Sequence, residues 1–527
     1  WNFPIAIPAG GVLAALATGS GVVFKPAKLT RRTGAYLADL MWKAGVPRDV
    51  LRLVCMDASS LGRVIVERAD QVILTGSTET ARMFRSWRPD LRLFAETSGK
   101  NAIVVTPNAD IDLAVKDVVY SAFGHAGQKC SASSLVILVG SLGFSKRFQR
   151  QLVDAVRSLK VGDPEDLSTQ MGPVIEPPHG KLLRGLTELG EGEAWAVKPR
   201  RLGERLWTPG VRAGVKPLSE YHLTEYFGPI LGVMRAETLD EAIDWQNAVD
   251  YGLTAGLHSL DGEEIRVWLE RVQAGNVYVN RAITGAIVRR QSFGGWKRSC
   301  VGAGTKAGGP NYLIGMGHVE DAPKDLGRVH IADETLRGAR AIAETMSVVD
   351  QSRFLSVIEG MDRALAGHFQ PSDPSGLEVE VNVLRYRPVP EAVIRLGDGA
   401  VGDLLAVAAG ALAAGTAPRV SSRVEVSKQM REYLESRGAG VVVESDEEFH
   451  RYAKLHATTV DGLRVRLIQG DARALAEAVG GSVDVAVYAE PVTGCGEVEL
   501  LPFLREQAVS ATNHRFGNPT RLLDTVI

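Results

Sequence analysis

The stretch IAIPAGGVLAALATGSGVVFKP, residues 5–26, reads as a glycine-punctuated apolar helix, a tight turn and a short strand, and an amphipathic helix follows it to Ala44-Gly45. Helix and strand alternating at so short a period specify a parallel sheet, because parallel neighbours need a crossover and the crossover is usually a helix. The alternation recurs through LRLVCM, GRVIVERAD, QVILTGS and LRLFAET. Residues 100–282 repeat it with longer helices, such as 145–159, and strands such as SLVILVG and GNVYVN. The alternation predicts one doubly wound α/β unit in the first hundred residues and a second over residues 100–282.

A polar stretch without strong period, HVEDAPKDLGRVHIADE, follows Gly317 and predicts a linker over 318–332. Beyond it, residues 333–527 alternate again through EAVIRLG, GDLLAVAAGALAAGT, AGVVVES, LRVRLIQG and SVDVAVYAE. The texture around 402–419 echoes residues 10–26. That echo reads either as a degenerate internal duplication or as the chance match of two alanine-rich helices.

A chain of 527 residues is too long for one core and suits several domains. Its 60 basic and 62 acidic residues nearly cancel, so bulk charge calls for neither nucleic acid nor an acidic membrane surface, and a small-molecule ligand is the default. Four cysteines, Cys55, Cys130, Cys300 and Cys495, stand far apart without a CxxC pair. That usage argues against a disulfide framework and a zinc site and fits a reducing cytoplasm. No apolar run reaches the roughly 18 residues of a membrane span, and no basic-then-apolar leader opens the chain. The chain begins with Trp1, inside a motif, and is expected to be part of something longer.

Cys130 lies in FGHAGQKCSAS, residues 123–133, where small residues leave room for a carbonyl carbon. A cysteine attacks as thiolate and needs access and electropositive help. A lone cysteine is nonetheless more often a buried thiol than a nucleophile. Glu96, in FAETSGKN, ends an apolar strand, where a carboxylate is usually a solvated cap but where open α/β sheets also build their sites. Asn2, in WNFP, offers a carboxamide donor that could join the Cys130 amide on an oxyanion. Together these types permit one reaction: thiolate addition to an aldehyde, hydride loss to a nicotinamide, and base-assisted hydrolysis of the thioester. For a cofactor, KPA at 25–27 ends a strand with a lysine that reaches ribose hydroxyls, and LTGSTETAR at 74–82 opens a helix whose free amides face a pyrophosphate. No GxGxxG fingerprint is found, so that site is weak on residue grounds alone.

The ordered set WNFP, KPA, TGSTE, ETSGKN, GQKCSA, EYFGPIL and FGGWKRS resembles the aldehyde dehydrogenase superfamily over residues 1–317. The resemblance implies a Rossmann-like cofactor domain at 1–97, with its N-terminal part missing, and an α/β catalytic domain at 98–317. It implies Cys130 as nucleophile, Glu96 as general base and Asn2 as oxyanion donor. Lys25 and Pro26 would meet the adenosine ribose of NAD, Gly76 and Ser77 its pyrophosphate, and Glu225 with Phe227 its nicotinamide ribose and ring. GNVYVNRAITGAIVRRQSFGG and GAGTKAGGPNYL are similar to the glutamate-semialdehyde dehydrogenases, above all to the dehydrogenase half of proline utilization A proteins. By that likeness Ser131, Gly302 and Ala303 anchor the substrate carboxylate, the glycine turn acting as an anion nest; a mere chain-turning loop is the alternative. Two departures stand out: Lys28 replaces the glutamate usual after KPA, a residue that favours NAD over NADP, and the loop after FGG is longer than the commonest version.

Through NVLRYRP and the terminal LLPFLREQAVSATNHRFGNP, residues 330–527 resemble the C-terminal domain of the longer proline utilization A proteins, a degenerate aldehyde-dehydrogenase-like α/β domain, with Cys495 outside any catalytic context. The likeness implies oxidation of L-glutamate γ-semialdehyde in proline catabolism, an FAD-binding proline dehydrogenase domain before Trp1, and a C-terminal domain covering a channel between the two sites. It leaves open a homo-oligomer or a monomer within the longer polypeptide, and peripheral membrane contact of the whole. The rivals are an aldehyde dehydrogenase of other substrate, and a C-terminal part that serves only as a structural or partner-binding module.

Overall fold

The computed structural model describes residues 1–56, 60–321, 330–515, 518–520 and 522–523. Most of the expected linker, 322–329, therefore lies outside the described residues. The opening stretch folds as its pattern requires. Helix Ala6–Ala17 leads into strand Val22–Phe24, and helix Arg31–Lys43 crosses to the parallel strand Leu51–Leu53. Gly34 lets that second helix sit on the strand exit, since a Cβ there would stand 2.4 Å from the Pro26 ring.

Of the four segments that carry the alternation onward, GRVIVERAD lies mostly in a helix, Ser60–Arg68. Val64 is exposed and Val66 buried, although residues two apart share a face in a strand and diverge in a helix. Strand Gln71–Thr75 then pairs in parallel with Arg92–Glu96 across helix Thr78–Trp87. The short strand Cys300–Val301 adds to Arg92–Glu96 antiparallel, Cys300 opposite Glu96. The first unit is thus not confined to residues 1–97: a segment two hundred residues on completes its sheet.

A nine-stranded sheet forms the next layer, in the order Glu380–Pro388, Leu504–Thr512, Asn276–Val279, Thr254–His258, Asn101–Val105, Ser133–Val139, Ile230–Ala236, Gly210–Ala213, Ala194–Val197. Its central strands are buried on both faces and almost wholly apolar, as parallel strands between helix layers must be. Its first two strands come from beyond residue 333. Leu504–Thr512 pairs in parallel with Asn276–Val279 and antiparallel with Glu380–Pro388. The expected boundary at 333 is corrected accordingly, because the hydrogen-bonding edge of Asn276–Val279 is filled by the C-terminal segment.

The rest of that segment forms a five-stranded parallel sheet, Gly440–Val443, Arg419–Ser422, Ala392–Leu396, Leu463–Ile468, Val485–Tyr488. Helix Val401–Ala413 packs on it with almost every side chain buried, which explains its continuous Ala/Leu/Val composition. Ion pairs fasten this layer to the rest: Arg298 holds Asp484 through two bonds of 3.0 Å, and Arg92 meets Glu490 at 3.2 Å.

Candidate active site

Cys130 ends a loop with three consecutive residues in left-handed backbone, His125 (φ 60), Ala126 (φ 52) and Gly127 (φ 66). Such backbone stores strain that its surroundings must hold. Gly127 has no alternative, because a Cβ there would fall 2.2 Å from the Gly228 carbonyl oxygen. The next residue ties the two loops together: the Gln128 carboxamide donates to the Phe227 carbonyl (3.3 Å) and accepts from the Ile175 amide (2.9 Å). From below, Asn101 Nδ2 donates to the carbonyls of Cys130 (2.7 Å) and Ala132 (3.0 Å), while its Oδ1 accepts from the Thr254 amide (3.1 Å). Thr254 Oγ1 donates in turn to the Ser131 carbonyl (3.2 Å). The thiol is therefore mounted on the buried strand ends of the catalytic sheet.

Its ionisation is opposed. Burial, and then the carboxylates of Glu96 and Glu225, push the Cys130 thiol up to about 12, against the pull of the Ser131 amide and its own. Both glutamates therefore act on the sulfur through their charge. Glu96 ends its strand, and burial raises its carboxyl to about 8, with Lys306 and a hydrogen bond from the Gly295 backbone working the other way. Its Oε2 is buried without a hydrogen-bond partner among the described residues. Glu225 is also held above the usual carboxylate range by burial, and its Oε1 accepts from the Gly99 amide at 3.0 Å. Phe227 sits at φ 57 with its ring edge-on to Trp1, centroids 5.6 Å apart. Phe3 stacks on His125 at 6.2 Å. Asn2, between those two aromatic residues, is thereby carried to the cysteine loop, buried, with Nδ2 unpaired among the described residues.

The cofactor candidates lie at carboxyl ends of parallel strands. Lys25 is exposed just past Val22–Phe24, its Nζ donating to the Pro26 carbonyl (3.3 Å), and Pro26 is buried under Gly34. Gly76 is exposed, and its amide donates to the Glu96 carbonyl (3.1 Å), so the turn meant for a pyrophosphate is one hydrogen bond from the base. Ser77 caps helix Thr78–Trp87 by accepting from the Thr80 amide (3.3 Å). An exposed lysine, first-turn amides and an aromatic beside the thiol fit a nicotinamide dinucleotide in kind.

Gly302 and Ala303 are not brought to the thiol. Strand Cys300–Val301 runs antiparallel to Arg92–Glu96, so the chain beyond it heads away from the carboxyl end where Glu96 stands. Gly302 (φ +86) faces Leu93, whose carbonyl oxygen a Cβ would meet at 1.9 Å, roughly 10 Å along the strand from Glu96. Ala303 packs with Ala14, Phe94 and Met316. Ser131, by contrast, is buried beside the thiol.

Sequence reasoning missed the groups that support the site. Lys306 is buried, and its Nζ donates to Asn276 Oδ1 (2.8 Å) and to the Gly294 carbonyl. Burial pulls its ammonium down to about 8, opposed by Glu506 and Glu96. Glu506, on the strand Leu504–Thr512, accepts from the Lys306 amide (2.7 Å) and from Asn311 Nδ2 (2.9 Å). Lys100 lies over the Tyr221 ring at 4.2 Å, drawn down to about 7 by burial beside Glu225. Lys100 and Asn101 stand in ETSGKN and Lys306 in GAGTKAGGPNYL, but neither motif says what these side chains hold.

A half-buried thiol, a carboxyl that burial keeps protonated to about 8 and an unpaired carboxamide, at strand ends of an α/β sheet, are groups suited to adding a thiol to a carbonyl. The chain belongs to the aldehyde dehydrogenase family, which matches residues 1–319. A 1-pyrroline-5-carboxylate dehydrogenase of Geobacillus sp. (strain WCH70) is 36% identical over 329 residues, 60% of this chain and 63% of the relative. Among solved structures, proline utilization A (PutA) from Corynebacterium freiburgense is 43% identical with a TM-score of 0.83, over 98% of this chain and 50% of that one. A 1-pyrroline-5-carboxylate dehydrogenase from Thermus with bound NAD is 33% identical with a TM-score of 0.55, over 60% of this chain and 63% of that one. The chain therefore spans less than two thirds of these relatives, and the Corynebacterium protein extends the likeness across the C-terminal layer.

Proposed function

We infer that the chain oxidises L-glutamate γ-semialdehyde to L-glutamate with NAD, as one half of a bifunctional enzyme of proline catabolism. The observation that carries this reading is that Glu96 and Glu225 act on the Cys130 thiol while Glu96 Oε2 and, on the segment packed against the cysteine loop, Asn2 Nδ2 are buried without a partner among the described residues. In this reading the carboxylate form of Glu96 takes the Cys130 thiol proton and passes it to solvent, and the sulfur bonds to the aldehyde carbon, whose C=O π pair becomes the oxyanion. The Cys130 amide and the Asn2 carboxamide donate to the oxyanion that forms. Bound NAD, on Lys25, Pro26, Gly76, Ser77, Glu225 and Phe227, supplies a hydride acceptor. Glu96 then takes a proton from the water that attacks the thioester, and free glutamate leaves Cys130.

The named relatives support the substrate. Anchoring of its carboxylate falls to Ser131, next to the thiol, rather than to Gly302 and Ala303. The PutA likeness supports an FAD-dependent proline dehydrogenase domain elsewhere in the same polypeptide. A cavity of about 430 Å³ lined by Tyr120, Arg281 and Thr284 on one side and Val379, Glu380 and His514 on the other supports a channel covered by the C-terminal segment. No helix among the described residues is long and apolar enough to cross a membrane; four free cysteines support a reducing compartment such as the cytoplasm.

NADH formation tests the reading. Strong turnover of pyrroline-5-carboxylate with little turnover of a simple aliphatic aldehyde is expected, and NADH from proline with an electron acceptor is expected of the whole polypeptide. Equal turnover of both aldehydes overturns the substrate assignment.

A further inference from the structure

The C-terminal layer holds a feature that the aldehyde site does not use. Residues Gly397-Asp398-Gly399-Ala400-Val401-Gly402 spell GxGxxG, correcting the expectation that the chain has no such fingerprint. They follow strand Ala392–Leu396 directly and open helix Val401–Ala413, and the next strand, Arg419–Ser422, returns parallel beside the first. This is the βαβ context in which the fingerprint cradles a diphosphate. In the five-stranded sheet the strand order reverses between Ala392–Leu396 and Leu463–Ile468. Open α/β sheets bind ligands in the crevice at such a reversal, beyond the carboxyl ends of the strands.

A cavity of about 320 Å³ fills that crevice, walled by the ends of four strands through Gly397 and Asp398, Arg423, Asp446 and Gln469. Two of the glycines are required by packing: a Cβ at Gly397 would lie 2.2 Å from the Gln469 carbonyl oxygen, and one at Gly402 would lie 2.7 Å from that of Asp350. Gly399 meets only side chains, Leu396 and the Gln469 carboxamide, so its backbone is covered by a group that can swing aside. The Asp403 amide turns back to the Ala400 carbonyl (3.2 Å), but the Val401 and Gly402 amides find no acceptor among the described residues, and no side chain caps the helix at Ala400.

Arg395 supplies an independent sign of a ligand. It lines the cavity at 1% exposure; its Nη1 donates to Ser421 Oγ (2.8 Å) and the Glu444 carbonyl (3.1 Å), and its Nη2 to Asp446 (2.7 Å). Its Nε is buried with no partner among the described residues, a costly state for a charged donor unless something binds there. Asp398 and Asp446 flank Arg423 at 3.1 and 3.8 Å. Carboxylates so placed suit ribose hydroxyls and disfavour a free phosphate.

We propose that this crevice is a second nucleotide site, binding the nucleoside diphosphate moiety shared by ADP and the nicotinamide dinucleotides, with the diphosphate on the 399–402 amides and the ribose on Asp398 and Asp446. The site is separate from the aldehyde centre, and its ligand acts on the layer that supplies strands to the catalytic sheet.

Hydrogen exchange on the full chain, with ADP, NAD, NADP or inorganic pyrophosphate added, reads the site directly in peptides covering 396–404 and 467–475. Nucleotides are expected to slow exchange there about tenfold and saturably, which corresponds to about 1.4 kcal/mol. Gly399→Val is expected to abolish that protection while leaving NADH formation intact. Asp446→Asn, a milder change at a partly exposed residue, is expected to weaken ADP more than pyrophosphate. Stronger protection by NAD or NADP than by ADP assigns the natural ligand to the dinucleotides. Absence of protection at millimolar nucleotide, or equal protection by pyrophosphate and ADP in both wild type and Asp446→Asn, overturns the proposal.

Discussion

Glu96→Gln should stabilise the fold with rising pH while abolishing turnover. The Glu96 carboxyl is raised from 4.5 to about 8 by burial. Between those values the folded state keeps a proton that the unfolded chain has released, so wild-type stability falls as pH rises, by about 1.4 kcal/mol per pH unit. Glutamine keeps the shape and cannot release a proton. From pH 5 to pH 7 the variant should therefore gain about 2.7 kcal/mol on the wild type. Lys306, drawn down to about 8, titrates above this window and leaves the difference to Glu96. Urea unfolding of both proteins at pH 5, 6 and 7 measures the gap. Parallel stability curves would falsify the claim that burial holds this proton, and with it the account of Glu96 as a base poised near neutrality. Cys130 acylation without release of product in the variant is the matching kinetic signature.

Cys130→Ala should reduce NADH formation below about one percent, several kcal/mol of barrier, with NAD binding by fluorescence titration unchanged; Cys55→Ala and Cys495→Ala should keep activity. Lys306→Met removes the cation that opposes the upward shift of Glu96, so the rising limb of the pH–rate profile should move above 8; an unmoved limb refutes the coupling. Gly127→Ala should cost about 3 kcal/mol in thermal unfolding and most of the activity, because the new methyl collides with Gly228 and separates the Cys130 and Phe227 loops. Truncation after residue 319 should yield no aldehyde oxidation, since it removes two strands of the catalytic sheet and Glu506; retained turnover in the truncated chain refutes a shared sheet.

What was legible in the sequence was local. The helix, strand and helix of residues 5–44 follow from period and glycine placement, and Cys130, Glu96 and Asn2 stand in short motifs whose residue types already name a reaction. Reach across the chain was not legible. Val64 and Val66 look alike in GRVIVERAD until packing buries one and not the other. Gly302 reads as an anion nest until the pairing of Cys300 with Glu96 turns its backbone toward Leu93. Lys306, Asn101 and Glu506 act through partners tens to hundreds of residues away, and no spacing announces them. GDGAVG was legible as a pattern and was missed because it falls between EAVIRLG and GDLLAVAAGALAAGT; that it follows a strand at a reversal of strand order was not legible.

The placement of Leu504–Thr512 between Asn276–Val279 and Glu380–Pro388 also sets a timetable for synthesis. A ribosome finishes every motif of the aldehyde centre about two hundred residues before it makes the strand that flanks them, and closing so long a loop is slow. Until then the edge of Asn276–Val279 is open to wrong partners. If truncation abolishes turnover as expected, nascent and prematurely terminated chains lack the finished sheet and with it the activity, which then reports that translation has run through residue 512.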